Sequence, residues 1–248
     1  MASPLSPLTT VNRAAALLAR HRGWFLVTSF CFEILPMEAI QYLTYRPMEA
    51  LRLSGELSVV AWAWAIWLCL FGLSALHWVV VYRLILDRGE AAAPPAGKSI
   101  ATGVVRFGRS CWWLLPVHGL AYWLTYYTFF IPGVILSWAF SVFAPYCAVD
   151  GHGFGEGWRA AWTMARRHGL GLLYNILCIF GASFIVYRIL IPHLYAGLGL
   201  LSLELRFLVL LPIGTIFSVV FSAWHIAFYA AIKDCLRDRP QQVAAVFE

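Results

Sequence analysis

Hydrophobic positions fall in six long blocks, at residues 24–43, 57–82, 111–130, 133–149, 170–190 and 207–232, and the charged residues gather between them. Each block is apolar around its whole circumference, not along one stripe. A helix of that kind has no polar face to offer water and belongs in a fully apolar setting. About 20 such residues cross a hydrocarbon core of roughly 30 Å, and a helix in lipid satisfies its own backbone polar groups. The pattern predicts an all-α, polytopic membrane protein, with six transmembrane helices in a single integral membrane domain over residues 1–248. Blocks three and four are parted only by Ile131-Pro132-Gly133. Pro and Gly break a helix and permit a sharp turn, so this pair reads as a tight hairpin.

Two of the connecting segments carry a different periodicity. In 98–110, Ile100, Val104, Phe107 and Gly108 follow helical spacing while Arg106 and Arg109 stand off that stripe. In 154–168, Trp158, Ala161, Trp162 and Ala165 line one face, and Arg159, Thr163, Arg166 and Arg167 turn to the other. Both predict helices lying in the cytoplasmic interface, apolar side down, with Arg106, Arg109, Arg159, Arg166 and Arg167 as candidate contacts for lipid headgroups. The plainer alternative is that each segment simply leads into the next span. Gly151, Gly153, Gly155 and Gly157 form a hinge rather than a phosphate loop, because no Lys-Ser/Thr follows them and no strand precedes them. Gly214, Ser218 and Ser222, four apart, predict a small-residue face for close helix packing.

Composition agrees with a membrane setting: 61% of residues are hydrophobic, 12% are charged, and the mean hydropathy is +0.74. Charge then sets direction. The segment before the first block, the second and fourth loops and the tail hold 14 of the 18 Lys and Arg residues; Arg46, Arg52, Arg188 and Arg206 are the other 4. Lys and Arg concentrate on the cytoplasmic side of a membrane protein, so both termini are expected there. The same rule, with anionic lipid at the inner surface, accounts for the net charge of +6 without nucleic acid as a partner. The six cysteines are scattered and form no CxxC pair, so reduced cysteines in packing roles are expected.

A set of short motifs carries a family resemblance. Ile131-Pro132-Gly133, then an apolar stretch, Ala144-Pro145, and Gly157-Trp158-Arg159-Ala160-Ala161-Trp162 follow one another in order. The chain ends its last block with Tyr229, Asp234, Cys235, Leu236 and Arg237, and Arg88-Gly89-Glu90 follows the second. Together these resemble the YciC-like bacterial inner-membrane proteins and the membrane domains attached to some glycerophosphodiester phosphodiesterases, over roughly Leu57 to Arg237. The chain departs from that pattern at Thr163. The resemblance implies six spans, a bacterial inner-membrane location and a role within the membrane, and it carries no catalytic residues across. His21-Arg22-Gly23 matches the opening of the phosphodiesterase catalytic domain, but that chemistry needs a soluble barrel for which the flanking sequence leaves no room.

The candidate chemistry lies inside the blocks. Glu33 sits about nine residues into the first, some 14 Å deep at about 1.5 Å per residue. A charge at the bilayer centre costs on the order of 3 kcal/mol or more, so Glu33 is expected to be neutral or paired and to face the bundle. By the same count His77, His118, Asn175 and His225 fall roughly 9–12 Å from the cytoplasmic boundary, on four other spans. These five residues are candidates for one polar chamber. Three readings stay open for it: isolated side chains each satisfying a neighbour, a chamber for protons, headgroups or a small solute, or a metal site. No HExxH-type spacing supports a metal site, and no cofactor is expected. The sequence therefore points to a non-catalytic protein of membrane homeostasis or lipid handling, partnered by membrane lipids, with a second membrane protein or a second copy left open. A small-solute or lipid transporter using the Glu33 layer, or an intramembrane enzyme, are the rivals.

Overall fold

The structure is a computed structural model that describes residues 5–40, 43, 58–88, 94–123, 141–201 and 203–237. Among the described residues nearly all are helical and none lies in a strand. Helix α1 (Pro7–Thr28) runs on through a π-helical turn at Ser29–Ile34. It is followed by α2 (Ser58–Arg88), α3 (Ala96–Trp123), a π-helical turn at Pro145–Val149 and α4 (Phe154–Phe184). Another π turn, Ile185–Leu190, leads from α4 into the short α5 (Ile191–Gly197), and α6 (Leu203–Arg237) closes the described chain.

Local sequence explains several boundaries. Ser6 caps α1 by accepting the Thr9 N–H at 3.2 Å, and Pro7 takes the first turn, where its missing N–H costs nothing. At α4 the Glu156 carboxylate accepts the Gly153 N–H at 3.1 Å. Both α1 and α4 are kinked at a histidine beside arginine, His21 (φ −122°, ψ 20°) and His168 (φ −130°, ψ 23°).

Among the described residues, three stretches are long and apolar enough to cross a membrane: Pro7–Ile40, Leu68–Arg88 and Leu208–Leu236. The expected spans at 24–43, 57–82 and 207–232 correspond to them. The kink at His21 falls where the first span was expected to begin. The hairpin at 131–133 lies outside the described residues, as do the end of the span at 111–130, from residue 124 on, and the start of the span at 133–149, up to residue 140. The two interfacial segments are not separate helices. Residues 98–110 belong to the unbroken α3, and 154–168 form the first half of α4, set off only by the bend at His168. Helix propagation adds a hydrogen bond per residue once a helix exists, and nothing in Ser110-Cys111-Trp112 stops it.

The helices pack in two close pairs. α2 lies along α3, where Gly103 comes so near Val80 that a Cβ there would stand 2.9 Å from the Val80 Cα. α1 lies along α6, with Gly214 against Ile34, where a Cβ would meet the Ile34 Cγ2 at 3.3 Å. Small residues let helix backbones approach, and in lipid that gain in packing drives association. Phe25, Tyr82, Met164, Leu172, Ile226 and Tyr229 fill the core between the pairs. The start of α1, the end of α2, the starts of α3 and α4 and the end of α6 share one end of the bundle. Arg13 bonds Asp234 at 2.6 Å, Arg88 lies 5.3 Å from the Trp24 ring, and Lys233 reaches Asp150 at 3.1 Å.

The first half of α4 turns its small residues inward and its aromatic residues out. Gly157, Ala160, Ala161 and Met164 are buried, and Gly157 is so tight that a Cβ would fall 2.3 Å from the Cys147 Sγ. Phe154, Trp158 and Trp162, successive turns apart, are 63, 58 and 54% exposed. This corrects the single stripe of Trp158, Ala161, Trp162 and Ala165: Ala161 belongs to the buried face and the two tryptophans to the outer one. The bundle accepts only small side chains there, so bulk goes outward.

Candidate functional site

Two polar sites stand out, one within the apolar bundle and one at its basic end. The first centres on Glu33, in the π turn of the first helix. A π turn widens the ladder of backbone bonds, and such turns recur at functional sites. The Glu33 Oε1 accepts from the Ser74 hydroxyl at 3.2 Å, and its Oε2 accepts from Ser218. His77, 2% exposed, lies between α1 and α6. Its Nδ1 is 3.2 Å from the Thr28 carbonyl oxygen, and its Nε2 is 3.2 Å from the Ser222 Oγ and 3.5 Å from the Glu33 Oε2. A carbonyl only accepts, so Nδ1 carries the hydrogen and Nε2 is the nitrogen that can exchange a proton. The carboxyl and the imidazole thus face one another across 3.5 Å, each with a serine hydroxyl at its side. Ser218 and Ser222, expected with Gly214 as a close-packing face, also serve as hydrogen-bonding groups here.

Of the other chamber candidates, His225 lies within reach of the Glu33 charge but is not hydrogen-bonded to this centre, and Asn175 stands apart from it. His225 turns its Nδ1 back to the Phe221 carbonyl at 2.8 Å, within its own helix. Asn175 is fully buried but belongs to a separate latch on the start of the chain. Its amide donates to the Leu5 carbonyl and, at 3.0 Å, to that of Gly171, while its oxygen accepts from Thr10 at 2.6 Å. His118 lies on α3 with its side chain outside the described residues. Glu33 and His77 stand at one level as their depths implied, whereas Asn175, expected in the same layer, lies against Leu5 and Thr10, toward the other end of the first helix. Among the described residues no group of His, Cys, Asp and Glu is arranged to hold a metal.

The second site is built on Asp150, which the sequence did not single out. Its carboxylate accepts from the Tyr229 hydroxyl at 2.6 Å and from Lys233 at 3.1 Å, and the Arg83 guanidinium is 3.9 Å away. Arg83 also pairs with Asp87 at 2.6 Å, one turn along α2. Tyr229 and Lys233 are likewise one turn apart on α6. Two carboxylates and two cations thus compensate one another in a half-buried cluster that ties the end of α2, the end of α6 and the loop before α4.

Arg106 is the cation outside that balance. It donates to the Val149 carbonyl and lies over Gly151, whose φ of +79° and missing Cβ both make room; a Cβ there would be 3.1 Å from the guanidinium carbon. Burial, and then the Arg83 charge behind it, hold Arg106 below the usual arginine range, with Asp150 and Asp87 acting in the opposite direction. Beside it, Arg109, Ser110, Trp113, Cys147, His152 and Phe154 complete the wall of a cleft of about 280 Å³. His152 stacks on Tyr146 with ring centroids 4.1 Å apart, and its Nδ1 is 3.3 Å from Glu156. Neither Arg106 nor Arg109 is ion-paired among the described residues.

Of the five arginines expected to meet headgroups, these two share the cleft and the other three sit on α4. Arg159 donates to the Gly155 carbonyl at 3.3 Å, Arg166 stacks 4.8 Å from the Trp162 ring, and Arg167 is exposed. Comparison with known proteins adds no relative. No family model matches the chain, and no curated protein or solved structure matches it significantly. What the site can do rests on its chemistry: a facing carboxyl and imidazole within the bundle, and at its end an aromatic-walled cleft whose two arginines have no ion-paired carboxylate among the described residues.

Proposed function

We propose that this chain is a non-catalytic integral membrane protein of lipid handling, with six spans and both termini on the cytoplasmic side. The observation that carries this reading is the outer face of α4: Phe154, Trp158 and Trp162 exposed in a row, with Arg166 stacked on Trp162 and Arg159 alongside. In water such a row would be an apolar liability. At a membrane interface, aromatic rings sit at headgroup level and arginines reach the phosphates. The shared basic end of the bundle supports a cytoplasmic assignment for that end, and the resemblance to YciC-like proteins supports a bacterial inner membrane.

The test is native mass spectrometry of the full chain released from membranes in mild detergent, beside cysteine accessibility in intact cells. Anionic phospholipid should stay bound, and should be depleted when Trp158 and Trp162 are both replaced by Ser. Single cysteines at 95 and 155 should label from the cytoplasm, and those at 50 and 197 from the opposite side. Lipid-free protein, or a cytoplasmic position 50, would overturn the reading. A second reading, proton-coupled transport of a small solute, is favoured by the Glu33–His77 approach of 3.5 Å. Solute flux in proteoliposomes that disappears in Glu33→Gln would establish it instead.

A further inference from the structure

We propose that the cleft between α3 and the loop before α4 is a specific binding site for a phosphate-bearing anion, with Arg106 and Arg109 as its ligands. The inference deepens the lipid reading and rests on it for the source of the phosphate.

Three features point to this ligand class. First, the charge is unspent. The neighbouring carboxylates, Asp87 and Asp150, are taken up by Arg83, Lys233 and Tyr229, and Glu156 faces His152. Arg106 and Arg109, one turn apart on α3, have no carboxylate of their own among the described residues. A guanidinium fork matches phosphate geometry and desolvates more easily than an ammonium, so arginine is the side chain expected there. The low pKa direction of Arg106 fits a cation waiting for an anion.

Second, the backbone is shaped around Arg106. Gly151 adopts a left-handed conformation directly against its guanidinium, and the Val149 carbonyl holds one end of the fork. That leaves the remaining N–H donors free to point elsewhere. Third, the walls are amphipathic. Trp113 and Phe154 line the same cleft as the cations, and Phe154 continues into the exposed row of Trp158 and Trp162. At about 280 Å³ the cleft is just under the size of a drug-sized pocket, so it has room for a phosphate and a small substituent but not for acyl chains. A phosphate whose apolar remainder lies along the α4 aromatic row satisfies both halves of the site. Inorganic phosphate satisfies only the first.

The experiment measures binding to the full chain in detergent by isothermal titration, with three probes: inorganic phosphate, a short-chain phosphatidate and the matching short-chain phosphatidylcholine. Phosphatidate should bind at one per chain and about tenfold or more tighter than phosphatidylcholine. Arg109→Gln, at an exposed position, should weaken it about tenfold or more, as should Arg106→Gln, because each loses a hydrogen bond to a charged group. Lys98→Gln removes the same charge two turns away on α3 and should leave affinity within twofold. Phosphate as tight as phosphatidate, and equally lost in Arg109→Gln, would support the site and assign it to free phosphate. Equal binding in wild type and Arg109→Gln, or an equal loss in Lys98→Gln, would overturn the cleft. Lipid retained on the purified protein would then still uphold the broader reading, so the two fail separately.

Discussion

Asp150 should be the most sensitive position at the basic end, and replacing it with alanine tests how the cleft is held. Its side chain is 10% exposed, and it is the shared partner of Tyr229, Lys233 and Arg83. Removing one member of a buried charge pair costs about 3–5 kcal/mol, chiefly because the other charge is left uncompensated. Lys233 and Arg83 are each about a fifth exposed, at 20% and 22%, and Arg83 keeps Asp87. Water and that second carboxylate relieve part of the penalty, which places Asp150→Ala nearer 2–3 kcal/mol. Tyr229→Phe removes one hydroxyl donated to a carboxylate and should cost about 1.5 kcal/mol. The two are directly bonded, so they should not add. In the Asp150→Ala background the Tyr229 hydroxyl has lost its acceptor, and Tyr229→Phe should cost close to nothing, a coupling of about 1–2 kcal/mol. Reversible denaturation of the four proteins in mixed micelles, followed by circular dichroism, measures the cycle. A wild-type midpoint in Asp150→Ala, or the same cost for Tyr229→Phe in both backgrounds, would refute the cluster as the element that fixes the loop.

Gly157→Ala should destabilise by about 1–3 kcal/mol through overpacking, because its Cβ would fall 2.3 Å from the Cys147 Sγ; Cys147→Ala should restore part of that loss in thermal melts. Gly103→Ala should cost a similar amount without rescue by Val80→Ala, since the nearest obstruction is the Val80 Cα itself at 2.9 Å. Gly151→Ala should cost about 1–2 kcal/mol for its left-handed backbone and should also weaken phosphatidate binding by displacing Arg106. Glu33→Ala should be less stable than Glu33→Gln by at least about 1 kcal/mol in the same assay, because only alanine leaves Ser74 and Ser218 without an acceptor; equal stability would count against the hydrogen-bonded centre.

The apolar blocks made the helices legible from sequence, because length and hydropathy speak directly to bilayer thickness. Their continuity was less so: Ser110–Trp112 looked like a boundary on composition, yet nothing there breaks a backbone hydrogen bond. The Glu33–His77 approach was readable as a matched depth, whereas His225 turns back on its own helix and Asn175 lies against the start of α1, away from that level. Rotation about a helix axis depends on which helices are adjacent, and one sequence does not encode that in any short pattern. Asp150 was missed for a related reason. It follows an apolar block as an ordinary loop acid, and its partners Arg83, Tyr229 and Lys233 are far away in sequence. The one local signal was spacing, Arg83 with Asp87 and Tyr229 with Lys233, each one helical turn apart.

The pairing of the first helix with the last has a consequence for how the protein is made. Leu5 and Thr10 wait for Asn175, 170 and 165 residues downstream, and Arg13 waits for Asp234, 221 residues on. During synthesis α1 emerges well before its packing partner α6, more than 170 residues downstream. Until then the Glu33 carboxyl lacks Ser218, and His77 lacks Ser222. Long-range closure of this kind is slow and leaves unpaired surface exposed in the interval. The nascent α1 must therefore be kept from wrong partners until α6 is made, and a stop codon before Leu208 would yield a product whose first helix never closes.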